Sequence, residues 1–192
     1  MTDDRIRVRE TRVLSDDHYV LRKTVFDYRR RDGSWQTMSR ETYDRGDGAA
    51  ILPYDPVRRT VLLVRQFRYP AYVNGHPEPM IEAIAGLLDE ADPLATISKE
   101  AEEEAGFRIR APKRVYEAFM SPGAVTERLS LFIGEYGLGD RVNDGGGVHG
   151  EGEDIEVLEP SFEEALAMVG DGRIVDAKTI MLLQHIRLAG LL

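Results

Sequence analysis

The sequence predicts an α+β protein, in which a small N-terminal antiparallel β-sheet precedes a larger domain. Three patterns lead to this prediction. Apolar and polar residues alternate through residues 6–45 on both sides of an Asp-Gly turn, which is typical of antiparallel strands. Two short apolar runs between residues 49 and 64 predict buried strands. Helical spacing of apolar residues predicts helices over residues 92–106 and 176–188.

The N-terminal segment predicts strands at residues 18–28 and 35–43. Two or three strands of this polarity bury little surface and are marginal on their own. We therefore expect this sheet to pack either on the main domain or on a second subunit. Most of its many basic side chains fit solvated strand faces. We place the domain boundary so that the first domain covers residues 1–46 and the second residues 47–192.

The main domain contains further elements that local patterns predict. Strands are predicted at residues 49–53, 60–64, 80–84, 114–120, 128–136 and 155–158. Ser161, with Glu164 three residues later, forms a capping box that opens one helix. Asp176 opens the last helix, and Gly190 lies just past its end.

Composition limits the classes of protein that this chain can represent. Its 192 residues suffice for one substantial core with a small appended layer. The absence of cysteine excludes disulfides and thiolate zinc sites, and the four histidines show no metal-ligand spacing. The net charge of −9 argues against generic binding to nucleic acid or membrane surfaces. No apolar run could span a bilayer, and the first ten residues do not resemble a signal peptide. We expect a soluble, cytoplasmic protein.

One stretch, residues 84–107, combines a glycine loop with a helix that carries several carboxylates. Asp92 followed by Pro93 is typical of a helix start, and Gly106 is typical of a helix end. Apolar residues recur every three or four positions and predict a core-facing stripe of Leu94, Ile97, Ala101 and Ala105. A neighbouring stripe contains Glu100, Glu103 and Glu104.

These glutamates repel one another, because residues three and four apart are neighbours on a helix. The repulsion requires either exposure to water or a compensating cation. A solvated acidic face is the simpler interpretation. The flanking run 85–88, with Gly86 near its start, would allow a backbone segment to pass close to the carboxylates. Carboxylates with a backbone carbonyl are hard oxygen ligands suited to Mg²⁺ or Mn²⁺.

The stretch resembles the Nudix box of the Nudix hydrolases. That pattern is Gly, five residues, Glu, seven residues and then Arg-Glu-aliphatic-x-Glu-Glu-x-Gly-apolar. Here Gly86 is followed after five residues by Asp92, and after six more by residues 99–107, which read KEAEEEAGF. Three features differ: the spacer is one residue shorter, Asp92 replaces the glutamate and Lys99 replaces the arginine. The last change replaces a two-pronged guanidinium with a point charge.

The resemblance implies a fold and a reaction. The implied fold is an α/β/α sandwich with a mixed sheet, preceded by the N-terminal antiparallel sheet. The implied reaction is hydrolysis of a pyrophosphate bond with Mg²⁺, for which Mn²⁺ could substitute. The three differences resemble a subgroup acting on nucleoside diphosphate sugars. We therefore expect GDP-mannose to give GMP and mannose 1-phosphate, with ADP-ribose, which would give AMP and ribose 5-phosphate, as the alternative substrate.

A Nudix-fold module that binds a nucleotide without hydrolysing it is a different class of protein that the resemblance also allows. Such a module would predict a damaged carboxylate set. The three glutamates of the acidic helix are all present, which favours an enzyme.

The resemblance also implies roles for individual residues. The implied metal ligands are the Ala85 carbonyl and the carboxylates of Glu100, Glu103, Glu104 and Glu153. Glu103 and Glu153 are the implied catalytic residues. Glu153 is the expected general base, and Glu151 is the alternative.

Substrate contacts are implied in both domains. Strand alternation makes Arg68 a candidate phosphate clamp, although a surface arginine lying over Tyr69 fits the same pattern. The resemblance favours the clamp. It also implies that Tyr19 stacks on the base, and that polar contacts come from Ser39, Arg40 and Glu41. Further implied contacts are Ala85, Gly86, Leu87, Gly147 and Glu127, the last of which also fits a plain turn with a solvated side chain.

The glycine-rich segment 139–153 is expected to be mobile and to act as a lid. This lid would bring Glu153 over the acidic helix, residues 92–106. In the subgroup that the chain resembles, the N-terminal sheet reaches across a dimer interface to help build the partner's site. We therefore expect a homodimer.

Overall fold

The computed structural model describes residues 4–88, 92–148, 150 and 152–192. Glu151, the alternative base, lies outside the described residues. The chain forms two compact units: Met1–Asp47 with Phe119–Arg128, and Gly48–Ala118 with Leu129–Leu192. The division made from the sequence did not assign residues 119–128 to the N-terminal unit.

Main-chain pairing explains why this internal segment belongs to the first unit. The Tyr43 amide donates to the carbonyl of Ala124 (2.8 Å), and the Thr126 amide donates to the carbonyl of Tyr43 (3.0 Å). The segment therefore adds to the end of the N-terminal sheet. Such pairing joins residues about eighty positions apart, and no local pattern in the sequence reports it.

The first unit is a three-stranded antiparallel sheet. Its strands are β1 (Ile6–Asp16), β2 (Val20–Arg29) and β3 (Trp35–Asp44), in the spatial order β1-β2-β3. Gly33, at a φ of +85°, makes the turn between β2 and β3, which requires a residue that tolerates the left-handed region. Every residue of β1 is exposed and most of β2 is half-buried, so the unit has no core comparable to that of the second unit.

The second unit contains two sheets. Its strands, with the boundary residues of β9 and β10 in the first unit, are β4 (Gly48–Asp55), β5 (Thr60–Val61), β6 (Leu63–Gln66), β7 (Met80–Glu82), β8 (Ile84–Leu87), β9 (Arg110–Phe119), β10 (Arg128–Glu135) and β11 (Glu156–Leu158). The larger sheet has the order β5-β4-β10-β9, with β8 also paired to β4. Because β10 runs parallel to β4 whereas β8 runs antiparallel to it, the sheet is mixed. A smaller antiparallel sheet has the order β11-β6-β7.

The helices are α1 (Tyr69–Val73), α2 (Pro93–Glu100), α3 (Phe162–Gly170) and α4 (Ala177–Ala189). A π-helical turn (Ala101–Ala105) continues α2, and a 3-10 turn covers Leu138–Asp140. The predicted caps are present: the Ser161 side chain accepts from the Glu164 amide at 3.2 Å, and Asp176 accepts from the Thr179 amide at 3.0 Å. None of the helices within the described ranges has the length and apolarity that a membrane crossing requires.

Both α2 and α4 pack against β4, and this gives the predicted α/β/α architecture. The core at this interface is formed by fully or almost fully buried side chains, including Ile51, Leu62, Val64, Ile84, Ile97, Ala101, Ala105 and Phe132. Leu94 was predicted to share this core but is 40% exposed, since it lies in the first turn of α2, away from the sheet. The core therefore holds the last part of the acidic helix most firmly.

Two local predictions were correct only in part. The hairpin expected from residues 49–53 and 60–64 is limited to the pairs Tyr54–Val61 and Asp55–Thr60, because the chain then leaves β4 and β6 joins the smaller sheet. The loop expected over residues 71–79 begins with the short helix α1. Pro70 in the first turn of that helix is compatible with a helix start, but α1 has no side-chain cap that would have indicated it.

Candidate active site

The acidic helix begins and ends at the predicted residues. The Asp92 side chain caps the Ala95 amide at 3.1 Å, and Gly106 ends the helix with a left-handed φ of +78°. Between these points the helix widens from α to π at Ala101. A π-turn inserts one extra residue into the turn and redirects the following side chains, and such turns are frequent at functional sites.

The glutamates of this helix have different environments. Glu104 is only 2% exposed. The side chain of Glu103 is 33% exposed and forms an ion pair with Lys99 at 2.9 Å. One face of the helix therefore carries a buried carboxylate next to a carboxylate that is paired at the surface.

Burial, together with the negative charges of Glu100 and Glu153, raises the pKa of Glu104 to about 8. The Ala85 backbone amide and the charge of Arg68 oppose this shift without cancelling it. One carboxylate oxygen of Glu104, Oε2, is buried with no hydrogen-bond partner among the described atoms. A buried carboxylate normally has a partner. An oxygen left without a partner in this position is a candidate metal ligand.

The chemistry of this cluster fits a divalent cation. Three carboxylates, Glu100, Glu104 and Glu153, interact electrostatically, and hard oxygen ligands are those that Mg²⁺ and Mn²⁺ prefer. As the side chains stand, however, no three acidic or histidine residues in the described ranges converge closely enough to hold an ion. Glu103 would have to leave Lys99 before joining the ligand set, so the predicted set remains a prediction.

The glycine loop before the helix lies against the carboxylates. Ala85 pairs with Ala50 and Gly86 with Ala49 where β8 joins β4. A side chain at Gly86 would collide with the carboxylate of Glu100. This close approach explains why the stretch requires glycine there, and Leu87 follows on the same strand.

The second glycine-rich segment is bound to the end of the acidic helix. The Gly146 amide donates to the carbonyl of Glu104 at 2.9 Å, and the Gly147 amide donates to that of Glu103 at 3.1 Å. The Asn143 side chain donates to the carbonyl of Glu102 at 2.9 Å. These donors satisfy carbonyls that a helix leaves unpaired at its C-terminus. Residues 143–147 are thus anchored rather than free, which the expectation of a mobile lid did not anticipate.

Arg68 and Glu153 line the same cavity. It has a volume of about 640 Å³ and is lined by residues 65–68, Pro79 and residues 152–156. Arg68 donates from Nε to Glu82 Oε1 at 2.8 Å. Its charge also lowers the pKa of Glu104. The predicted phosphate clamp and the predicted base therefore meet at one cavity of the second unit.

Sequence reasoning missed Lys178, which is buried and pairs with Glu82. A signal was available, because a lysine in the first turn of a helix opposes the helix dipole and needs another reason to be there. From the sequence alone, Glu82 fits an exposed strand residue as well as a residue that orients a nearby cation. The structure shows that it is 3% exposed.

The remaining predicted substrate contacts belong to the first unit. Tyr19 packs edge-on against Tyr43 (ring centroids 5.7 Å apart) and lies under the Arg45 guanidinium at 5.6 Å. Glu127 forms an ion pair with the same Arg45 at 3.4 Å. The exposed residues of β3 in this set are Ser39, Arg40 and Glu41. Within this unit, Arg45 brings Tyr19 and Glu127 to one location.

Comparison with known proteins identifies the family. Residues 5–43 match the model described as "GDP-mannose pyrophosphatase NudK N-terminal domain". The chain is 52% identical over 186 residues to a GDP-mannose pyrophosphatase of Pectobacterium atrosepticum, covering 96% of this chain and 95% of that protein. It is 50% identical over 182 residues to one of Cronobacter sakazakii, covering 94% of both.

A solved structure supports the fold independently of close sequence similarity. The "Crystal structure of ADP compounds hydrolase" superposes with a TM-score of 0.72 over 100% of both chains at 13% identity. At that identity the likeness concerns the fold alone. Since identities near 50% extend over almost the whole chain, including its variant Nudix box, the protein belongs to the GDP-mannose pyrophosphatase family of Nudix hydrolases.

Proposed function

We propose that this protein hydrolyses the pyrophosphate bond of GDP-mannose, giving GMP and mannose 1-phosphate. The relatives named GDP-mannose pyrophosphatase support the choice of substrate. The observation on which the hydrolytic activity chiefly rests is the buried Glu104 carboxyl, which has an unpartnered oxygen and lies within the electrostatic reach of Glu100 and Glu153. Such clustered carboxylates destabilise the fold unless a cation binds them, which fits a metal-dependent hydrolase.

The cofactor we propose is Mg²⁺, with Mn²⁺ as a substitute. The residues that would hold it are the Ala85 carbonyl and the carboxylates of Glu100, Glu104, Glu153 and, once released from Lys99, Glu103. When bound, the ion would neutralise the pyrophosphate oxygens and make water more acidic.

We assign the other roles in the reaction to three side chains. Glu153 takes the proton of the attacking water, because it is a carboxylate that lines the cavity beside Arg68. Glu103 is the second carboxylate to which we assign a catalytic role. Arg68 donates hydrogen bonds to phosphate oxygens, a task for which a charged guanidinium is well suited. The water oxygen bonds to one phosphorus, and the bond from that phosphorus to the bridging oxygen breaks.

Backbone groups complete the proposed site. Ala85, Gly86 and Leu87 form the strand that faces the acidic helix, and Gly147 lies where the anchored loop contacts Glu153. From the first unit, we assign base stacking to Tyr19 and polar contacts to Ser39, Arg40, Glu41 and Glu127.

We further propose that two copies associate through the N-terminal sheet. A three-stranded sheet needs to bury a hydrophobic face to be stable in water, and this one exposes apolar side chains at Ile6, Val8, Val13, Leu14, Trp35 and Tyr43. Light scattering should therefore give the mass of a dimer. Val8→Asp with Val13→Asp should shift the mass towards that of the monomer, whereas Arg12→Ala on the same strand should not. A monomeric wild-type protein would contradict the proposal.

The activity can be tested with purified protein, Mg²⁺ and either GDP-mannose or ADP-ribose, with the products identified by chromatography. We expect GMP and mannose 1-phosphate, a higher kcat/KM for GDP-mannose than for ADP-ribose, and no turnover in the presence of a chelator. Preference for ADP-ribose would overturn the choice of substrate. Binding of GDP-mannose without turnover at any divalent ion concentration would overturn the assignment of a hydrolase.

A further inference from the structure

The Lys178 ammonium is buried where α4 begins. Its side chain is 11% exposed, and Nζ donates to Glu82 at 2.5 Å and to Asp176 at 2.9 Å. Burying a lysine is costly unless the charge is paired. In the first turn of a helix, a cation is further disfavoured by the helix dipole. An apolar side chain would be buried here with a smaller loss of solvation free energy. We therefore explain the lysine by the ion pairs that it forms with its two carboxylate partners.

Glu82 links this ammonium to the cavity. It is 3% exposed and is the last residue of β7, separated from β8 by Ala83 alone. One of its oxygens accepts from Lys178, while Arg68 donates to the carboxylate from Nε at 2.8 Å and from Nη2 at 3.5 Å. Both hydrogen bonds that Arg68 makes to described side chains therefore go to Glu82.

A second contact joins the β7–β8 junction to the start of α4. The Ala83 amide donates to Thr179 Oγ1 at 2.6 Å, and that hydroxyl donates to Asp176 at 2.5 Å. Asp176 also accepts from Lys178. The start of α4 is thus bound to the β7–β8 junction through adjacent residues on each side. Glu82 is held in one orientation by a rigid, buried network.

We propose that Lys178 is a positioning residue for the hydrolytic reaction, which it serves by holding Glu82 so that Glu82 in turn orients the Arg68 guanidinium at the cavity. Two edges of a guanidinium can bind different partners because its five donors lie in one plane. With the Nε edge fixed on Glu82, the other donors of Arg68 are available to an anionic group in the cavity lined by Glu153. The inference rests on the proposed function, in which Arg68 contacts a substrate phosphate.

A purely structural lysine and a positioning lysine predict different kinetics. Lys178→Met should raise KM for GDP-mannose by about tenfold, with a smaller change in kcat, since a misoriented charged hydrogen bond weakens substrate binding. In an Arg68→Ala background the same substitution should change KM by less than about twofold, because the group through which Lys178 acts is then absent. If KM rises about tenfold in both backgrounds, or in neither, the proposal is wrong.

A matched control separates stability from positioning. Arg58 is also a cation between two carboxylates, Asp55 (2.6 Å) and Glu159 (2.6 Å), but it lies at the turn between β4 and β5. Arg58→Met should lower the melting temperature and leave KM unchanged. If Lys178→Met does not fold, Lys178→Gln, which keeps a polar side chain but removes the charge that holds Glu82, replaces it in both backgrounds.

A direct measurement on Arg68 distinguishes failure of this proposal from failure of the proposed function. The Nε–H signal of Arg68 in a nitrogen-15 spectrum can be assigned by its loss in Arg68→Lys. We expect that signal to shift and to exchange faster with water in Lys178→Met, but not in Arg58→Met. Wild-type protein inactive on GDP-mannose would refute the proposed function alone. An unchanged Arg68 signal in Lys178→Met would refute the role of Lys178 whatever the activity.

Discussion

The Glu153 carboxylate accepts a hydrogen bond from the backbone amide of Val148 at 2.8 Å. Gly147 lies next to this bond at a φ of +77°, and an added Cβ there would fall 2.5 Å from Glu153 Oε2. The loop can therefore hold Glu153 only if residue 147 has no side chain. The same loop is anchored to the acidic helix through the carbonyl of Glu103.

We predict that Gly147→Ala lowers kcat by about tenfold or more, because it displaces the proposed base, and that it costs about 1 kcal/mol of stability through the left-handed φ. Steady-state kinetics and urea unfolding would measure both effects. Gly172→Ala is the matched control, since Gly172 has a φ of +83° and no atom within 4 Å of an added Cβ. It should lose similar stability and keep its kcat. Equal kcat values in the two variants would contradict the role of the loop.

Glu104→Gln should separate metal binding from folding. Glutamine keeps the shape of the side chain but removes a carboxyl that is buried near two other carboxylates. We expect kcat to fall by about a hundredfold or more and the rise in melting temperature on adding Mg²⁺ to disappear. The melting temperature without metal should not fall. Calorimetric scans with and without Mg²⁺ measure this.

Glu102→Gln is the control for Glu104→Gln on the same helix turn. Glu102 pairs with Arg108 at 3.1 Å at the surface, where an ion pair contributes about 0 to 1 kcal/mol. This variant should keep both its activity and its Mg²⁺ response. If Glu104→Gln also kept its Mg²⁺ response, Glu104 would not be a ligand.

Glu82 predicts a specific loss of stability in acid. Burial opposes ionisation of its carboxyl, but Lys178 and Arg68 outweigh burial and hold the pKa of Glu82 below its usual value. A lowered pKa in the folded state means that the stabilisation is present above the unfolded-state pKa and is lost as pH falls through the folded-state pKa. The free energy of unfolding, measured in urea from pH 6 down to pH 3, should therefore fall less steeply in Glu82→Gln than in wild type. The two slopes should differ by at most about 1.4 kcal/mol per pH unit, and identical slopes would contradict the assignment.

The parts of the site that the sequence predicted correctly are those encoded locally. Asp92 and Gly106 bound the acidic helix because capping depends on residues within one turn. The widening to a π-turn at Ala101 has no comparable local signature. The helical pattern placed Glu103 and Glu104 on one stripe, whereas Glu104 is buried and Glu103 pairs with Lys99 at the surface.

The parts that could not be predicted depend on contacts between distant residues. The Gly146 amide meets the carbonyl of Glu104 from more than forty positions away, and Lys178 meets Glu82 across 96 positions. Periodicity and capping rules describe neighbours along the chain, so they are silent about such pairs. The resemblance to the Nudix box supplied candidate residues, and only the fold supplies their partners.

Tyr136 offers a test of the core away from the proposed chemistry. Its side chain is fully buried, and its hydroxyl bonds Thr60 Oγ1 at 2.7 Å and Glu159 Oε1 at 2.8 Å. Burial raises the pKa of Tyr136, so the hydroxyl keeps its proton and can donate to Glu159. Tyr136→Phe preserves the edge-on ring contact with Phe107 (5.3 Å) but should destabilise the protein by about 1 to 3 kcal/mol, because buried polar partners lose their bonds.

Thr60→Val removes the other hydroxyl of the same pair and closes a double-mutant cycle. Because the two hydroxyls share one hydrogen bond, the double variant should be more stable than the sum of the two single losses by roughly 1 kcal/mol. Urea unfolding measures all four proteins. KM and kcat should remain at wild-type values throughout, since neither residue lines the cavity of Arg68 and Glu153. Strict additivity would mean that the hydroxyls stabilise the fold independently, and a change in KM would place this network within the site.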